Sequence, residues 1–203
     1  SHSWLFTGPP GSGRSLAAID FAAALMCTDP EEPGCGRCEA CRAVLETKQH
    51  TDLVLVDPQE VIIPVDTVRE VIGRAASLPT VAPWRVVIFN NADRLNNNGA
   101  NALLKTVEEP PARTVIIMCA PSDAPEDFSQ TLRSRCRHLY IPSPSVESIT
   151  AQLVGEGASD HDAHLAALTS LRHVGRARRL VNDPAVQKRR AVAINLAEEV
   201  FHG

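Results

Sequence analysis

Gly8-Pro9-Pro10-Gly11-Ser12-Gly13-Arg14-Ser15 decides the fold. It stands between a short apolar run, Trp4-Leu5-Phe6-Thr7, and a segment, 16–26, that reads as a helix. A glycine-rich turn that closes a strand and opens a helix lets backbone N–H groups face phosphate oxygens, and the helix N-terminus adds partial positive charge. Gly8, Gly11, Ser12, Gly13, Arg14 and Ser15 are therefore candidate nucleotide-binding residues, with the Ser15 hydroxyl placed to ligate magnesium. The pattern expects Lys at position 14. Arg keeps the charge, but it is longer and planar and does not replace a point charge between phosphates. The P-loop fold follows from motif and context. Whether this copy holds a nucleotide or is a glycine-rich turn without a ligand stays open at the level of sequence.

Outward from the loop, strands and helices alternate. Leu53-Val54-Leu55-Val56, Val86-Val87-Ile88-Phe89 and Val115-Ile116-Ile117-Met118 are continuous apolar runs of the buried parallel kind. Val61-Ile62-Ile63 reads as a further strand and 138–141 as a last one. Segment 65–76 carries Val65, Val68, Val71 and Ile72 at helical spacing, and 101–107 is a helix that stops before Pro110-Pro111. The alternation predicts an α/β fold, a parallel sheet with helices on both faces, over residues 1–142. Pro142-Ser143-Pro144-Ser145 marks a boundary. Beyond it apolar residues recur only at helical spacing (Ile149, Leu153; Leu165, Leu168, Leu171; Val192, Leu196, Val200), which predicts a small all-helical domain over 143–203.

The strand ending at Phe89 is followed by Asn90-Asn91-Ala92-Asp93. A P-loop ATPase needs a carboxylate there to hold magnesium and usually a second acid to orient the attacking water. Both positions are amides, which carry no charge and accept no proton. No efficient hydrolysis in cis is expected. The rival reading is that Asp93 substitutes through a shifted strand end.

Of 203 residues, 44% are hydrophobic and 22% charged, which excludes a disordered tail or a fibre. No run approaches the ~18 apolar residues of a membrane span, and no signal peptide pattern opens the chain. A cytoplasmic protein without membrane contact is expected. A net charge of −4 excludes a generally basic nucleic-acid binder, leaving the arginines at 176, 178 and 179, with Lys188-Arg189-Arg190, as a local basic candidate. His161 and His164 have no metal-ligand partners at a convincing spacing and read as surface residues. Four of the six cysteines crowd together: Cys27, Cys35, Cys38 and Cys41. Two-residue gaps bring sulfurs onto one tetrahedral ion, so a closed structural zinc module at 27–41 is the leading reading. Gly34 and Gly36 help the chain turn tightly around it. An iron–sulfur cluster and unmetallated thiols or disulfides are the alternatives.

With these pieces in place, the chain resembles the clamp-loader subunits of bacterial DNA polymerase III. The likeness is carried by the loop at 8–15, the cysteines at 27–41, the stretch Asn101-Ala102-Leu103-Leu104-Lys105-Thr106-Val107-Glu108-Glu109-Pro110-Pro111, and Ser134-Arg135-Cys136. The resemblance implies an AAA+ module, an α/β nucleotide domain followed by a helical lid, in a subunit of the polymerase holoenzyme, a nucleotidyltransferase complex. Two subunit types share these motifs: a gamma/tau motor with an intact site, and a delta-prime type with an eroded one. Arg14, Asn90, Asn91 and the Cys119-Ala120-Pro121 stretch depart in the delta-prime direction. The resemblance also implies that Arg135 is an arginine finger reaching a neighbouring subunit's ATP site, and that Arg176 is the nearest match to a lid sensor arginine. Its implied cofactors are structural zinc and, at an uncertain site, ATP or ADP with magnesium. The implied partners are gamma/tau and delta subunits, and through the assembly the sliding clamp and primer–template DNA. The P-loop strand begins at residue 4 and the chain stops after the lid. The expectation is that this stretch lacks the upstream segment that helps hold adenine and the C-terminal domain through which such subunits assemble, and so associates weakly by itself.

Overall fold

The computed structural model describes residues 2–58, 60–189 and 192. Among them five strands form one parallel sheet: β1 (Ser3–Thr7), β2 (Leu53–Val56), β3 (Arg85–Phe89), β4 (Thr114–Ala120) and β5 (Arg137–Tyr140), in the spatial order β2-β3-β4-β1-β5. The central strands β3 and β4 are buried along their whole length, as their unbroken apolar runs require. Side chains alternate between two cores. Val87, Phe89, Ile116 and Met118 face α3 (Val65–Ala75), α4 (Asn97–Glu108) and the single turn α5 (Gln130–Arg133), meeting Val68, Val71, Leu103, Val107 and Leu132. Val86, Ile88, Val115 and Ile117 face α1 (Arg14–Met26), meeting Ala18, Ile19, Ala22 and Met26. The sheet is thus covered by helices on both faces, and a single helical turn, α2 (Glu39–Arg42), lies between α1 and β2 in the chain.

Helix starts follow local chemistry. Asn96 accepts a hydrogen bond from Gly99 N–H and so caps α4, which ends before Pro110. Ser145 and Ser159 cap α6 (Val146–Gly155) and α7 (Asp160–Thr169) in the same way. One feature of the sheet is invisible in hydrophobic patterning. Asp52, fully buried before β2, accepts hydrogen bonds from the N–H groups of Thr80, Val81 and Ala82 at 2.8, 2.8 and 2.9 Å and from Arg85 Nη2 at 2.9 Å. Arg85 also donates to the carbonyls of Arg74 and Ser77 at 2.6 and 2.8 Å, tying the end of α3 and the following loop to the sheet.

The chain divides into two compact units, one of residues 1–9 and 14–141, the other of 10–13 and 142–203. In the second, α6, α7 and α8 (Val174–Asn182) enclose Ile149, Leu153, Ala163, Ala166, Ala167 and Ala177. One sequence expectation needs correction. Val61-Ile62-Ile63 is not a strand: Val61 is 84% and Ile62 51% exposed, and Ile63 alone makes a bridge, to Leu95. The run is apolar enough for a strand, but it has no neighbour to pair with. The helical spacing of Leu165 and Leu168 falls on α7, where Leu168 is 50% exposed; Leu171, beyond the helix, is 79% exposed. Alanines on the adjacent face let the helices approach and form the core instead. The proposed stripe through Val192, Leu196 and Val200 lies, apart from Val192, outside the described residues.

Candidate functional site

The phosphate loop leaves the C-terminal end of β1, where Gly8 N–H donates to Ala120 O of β4 at 3.3 Å. Gly11 and Gly13 have φ of +86° and +91°, a backbone region open to glycine, and α1 begins at Arg14. The loop therefore has the expected form, with Ser12 buried and Ser15 in the first turn of the helix. The cation of the loop is turned inward. Arg14 Nη1 donates to the carbonyl of Gly8 at 2.7 Å, and Nη2 lies 3.4 Å from Asn91 Oδ1. Asn90 follows β3 directly, with its N–H donating to Val56 O, and Asn91 comes next in a left-handed conformation at φ +51°. The two amides thus occupy the strand end where acids would hold magnesium, and one of them partners the arginine. Asp93 sits exposed in the single turn 92–94, beside a cavity bounded by Pro125, Phe128 and Leu132 rather than by the phosphate loop.

Among the described residues, four buried side-chain polar atoms lack a partner: Ser12 Oγ, Arg14 Nε, Asn90 Oδ1 and Arg85 Nε. Ser12 and Arg14 belong to the phosphate loop and Asn90 follows β3; buried polar atoms are nearly always hydrogen-bonded, so each is a group that a polar ligand or water would satisfy. Cys119 on β4 is buried, with its thiol pushed up to about 12 by that burial. It supplies no strong donor to a phosphate.

Arg135 follows α5 and is one-third exposed. Its Nε lies 3.2 Å from Glu108 Oε2, and Nη1 donates to Thr131 O at 2.9 Å. Arg176 belongs to the first turn of α8, exposed, with its backbone N–H on His173 Nδ1. Arg178 is paired instead, with Glu156 at 2.6 Å. Lys188 and Arg189 are exposed, Arg190 lies outside the described residues, and His161 and His164 are exposed.

At the far end of α1 the four cysteines converge. The Sγ atoms of Cys27, Cys35, Cys38 and Cys41 all lie within 4.8 Å of one another, with Cys27 at 3.7 Å from Cys35 and 3.9 Å from Cys38. Sulfurs at ~2.3 Å from a tetrahedral zinc stand about 3.8 Å apart, so the set fits. Backbone N–H groups aim at the sulfurs: Asp29 at Cys27, Cys38 at Cys35, Cys41 at Cys38, each at 3.4 Å. Gly34 and Gly36 turn with φ of +81° and +72°. Backbone N–H bonds, first from Thr28 and then from Cys41, draw the Cys38 thiol down to about 6, while burial pushes Cys41 up to about 12. The cluster can bind a metal.

A further set of contacts near the loop has no signature in the spacing of the sequence. Asp123, after β4, holds Arg133 of α5, and His138 of β5 links Asp123 to Thr7 at the end of β1.

The family described as DNA polymerase III, delta subunit, matches residues 1–145. The chain belongs to this family. It is 35% identical over 173 residues to the DNA polymerase III subunit delta' of Pseudomonas aeruginosa, covering 82% of this chain and 52% of that protein. It is 33% identical over 158 residues to the gamma/tau subunit of Mycobacterium tuberculosis, covering 75% of this chain and 27% of that protein. The chain thus spans about half the length of its delta' relative. A DNA polymerase III gamma subunit-related protein of Thermotoga maritima shares the fold, with a TM-score of 0.62 at 20% identity over 90% of this chain and 54% of that one. No described helix is long and apolar enough to cross a membrane.

Proposed function

We propose that this chain is the AAA+ part of a delta-prime subunit of the DNA polymerase III clamp loader. It acts as a largely non-hydrolysing arm that helps load the sliding clamp onto primer–template DNA and lends Arg135 to a neighbouring gamma/tau ATP site. The observation that carries this reading is a contrast. The chain's own loop cation is engaged by Gly8 and Asn91, with amides in place of acids, while Arg135 stands at the surface. A guanidinium placed at a transferring phosphoryl group offsets the charge that develops there. The Glu108 contact of Arg135 is a half-exposed ion pair of the kind worth little, so it yields readily to a phosphate.

Zinc on Cys27, Cys35, Cys38 and Cys41 would hold the projecting knuckle, its binding energy serving as folding energy. Nucleotide with magnesium at Gly8, Gly11, Ser12, Gly13, Arg14 and Ser15, with Arg176 as sensor, is the least supported part. The unpartnered Ser12 Oγ and Asn90 Oδ1 favour it, and the engaged Arg14 opposes it. Those two orphaned atoms, with the gamma/tau likeness, also favour a second reading, an active motor subunit.

The deciding experiment is DNA-stimulated ATP turnover of a reconstituted loader carrying Arg135→Ala in the full-length protein. One site is expected to slow roughly 100-fold or more, seen as partial loss of total turnover. Unchanged turnover in an intact assembly would remove the finger role. Turnover by the protein alone would favour the motor.

A further inference from the structure

The two arginines of Leu132-Arg133-Ser134-Arg135-Cys136 have different partners. Arg135 pairs with Glu108 of α4. Arg133 pairs with the loop that follows β4, with Nε 2.7 Å and Nη2 2.6 Å from the same Oδ2 of Asp123. The main-chain carbonyl of Asp123 accepts a second bond from the helix, from Gln130 Nε2 at 2.9 Å. Behind Asp123 the chain of contacts continues. His138 Nδ1 lies 3.7 Å from Oδ2, and His138 Nε2 shares a 2.6 Å hydrogen bond with the buried hydroxyl of Thr7, one residue before the phosphate loop begins.

We infer that Arg133, Asp123 and His138 are positioning residues: they fix α5 against the chain's own sheet and thereby set where Arg135 points. This rests on the reading that Arg135 serves a neighbouring ATP site. The argument is mechanical. α5 is a single turn of four residues, far below the length at which a helix holds itself together. Buried Leu132 anchors its inner side, but one side chain leaves the turn free to rock. Two bonds to one residue, from Gln130 and Arg133, remove that freedom. Both guanidinium nitrogens meet one carboxylate oxygen, a contact that sets the direction of the side chain where an ammonium would supply charge alone. The pair is 40% and 35% exposed, so its worth to global stability is small. A finger, by contrast, works only within a narrow range of positions. The contribution is therefore to placement rather than to folding.

The test uses the full-length protein in the reconstituted loader, with Arg133→Ala, Arg133→Lys and Asp123→Asn, the last serving if Arg133→Ala fails to assemble. Two readouts are taken: ATP turnover of the assembly, and alkylation of Cys136 in the subunit, followed by mass spectrometry of its peptide. Arg133→Ala is expected to lower turnover at the one site about 10- to 100-fold, the scale on which misplacing a reacting group by about 1 Å acts, with the KM for ATP unchanged. Arg133→Lys should recover only part of it, alkylation of the half-buried Cys136 should accelerate, and Arg133→Ala should add nothing to Arg135→Ala. Wild-type turnover and alkylation in Arg133→Ala, with Arg135→Ala impaired, would overturn the inference and leave the finger standing. If Arg135→Ala changes nothing, the finger reading fails, and alkylation decides alone: faster labelling keeps Arg133 as the residue that holds α5, and unchanged labelling overturns that too.

Discussion

Arg14 shows how one substitution changes what a phosphate loop offers. A lysine reaches out of the loop as a mobile charge, whereas this guanidinium folds back onto Gly8 O and Asn91. Arg14→Lys alone is expected to leave ATP turnover of the isolated protein at background, because Asn90 and Asn91 still provide no anion for magnesium. Measurable turnover from that single change would assign the metal to Asp93 or another acid. The departures at 14, 90 and 91 were legible in the sequence because each breaks a motif of fixed spacing. The linkage through Thr7, Asp123, Arg133 and His138 was not, since its members come from four segments spread over more than a hundred residues and the fold alone joins them. The same holds for Asp52 and Arg85. Burial opposes ionisation of Asp52, but the N–H groups of Ala82, Val81 and Thr80, with Arg85, outweigh it and hold its carboxyl well below the usual carboxylate range. The folded value is depressed, so this stabilisation is present above the unfolded value of about 3.9 and is lost as pH falls through the folded one. Asp52→Asn leaves Arg85 buried without its counterion and is expected to destabilise by about 3–5 kcal/mol at neutral pH in urea unfolding, with the deficit shrinking in strong acid.

At the scale of elements, periodicity named the sheet and most helices but failed at one expected strand, for a reason outside local pattern. A strand needs a partner strand, and Val61-Ile62-Ile63 has none beyond one bridge. A leucine stripe becomes a core only if a neighbour covers it, and in α7 the small alanines allow the closer packing. The cysteine knuckle is the opposite case. The convergence of its four sulfurs was readable from spacing because two-residue gaps between cysteines bring neighbouring thiols together. Stripping the metal from the subunit with a strong chelator under reducing conditions is expected to release about one zinc per chain and to unfold residues around 27–47, seen as a lowered melting temperature that returning zinc restores. Release of iron, or no metal at all, would refute the zinc reading.

At the scale of the whole molecule, charge is the informative quantity. The net charge is −4, and Arg178, one of the lid arginines, is already paired with Glu156. The chain by itself is expected to bind primer–template DNA no more tightly than about 10⁻⁴ M near physiological salt, the weak end of non-specific association, checked by fluorescence anisotropy across a salt series. Tight, steeply salt-dependent binding would mean that the arginines at 176 and 179, with Lys188 and Arg189, form a working phosphate-binding surface.

The helix α1 starts at the phosphate loop and ends beside Cys27, a rod of 13 residues and so about 20 Å long. The sheet grips it along its length, through Ala18, Ile19, Ala22 and Ala23, and at its last residue through Met26. Oxidants attack thiolates, and the thiols drawn toward that form, Cys27 and Cys38, both lie in the cluster. Peroxide damage should therefore fray the distal tip and stop at the buried alanines, leaving the loop in register: the grip of the sheet acts as a firebreak between redox chemistry at one end and phosphate geometry at the other.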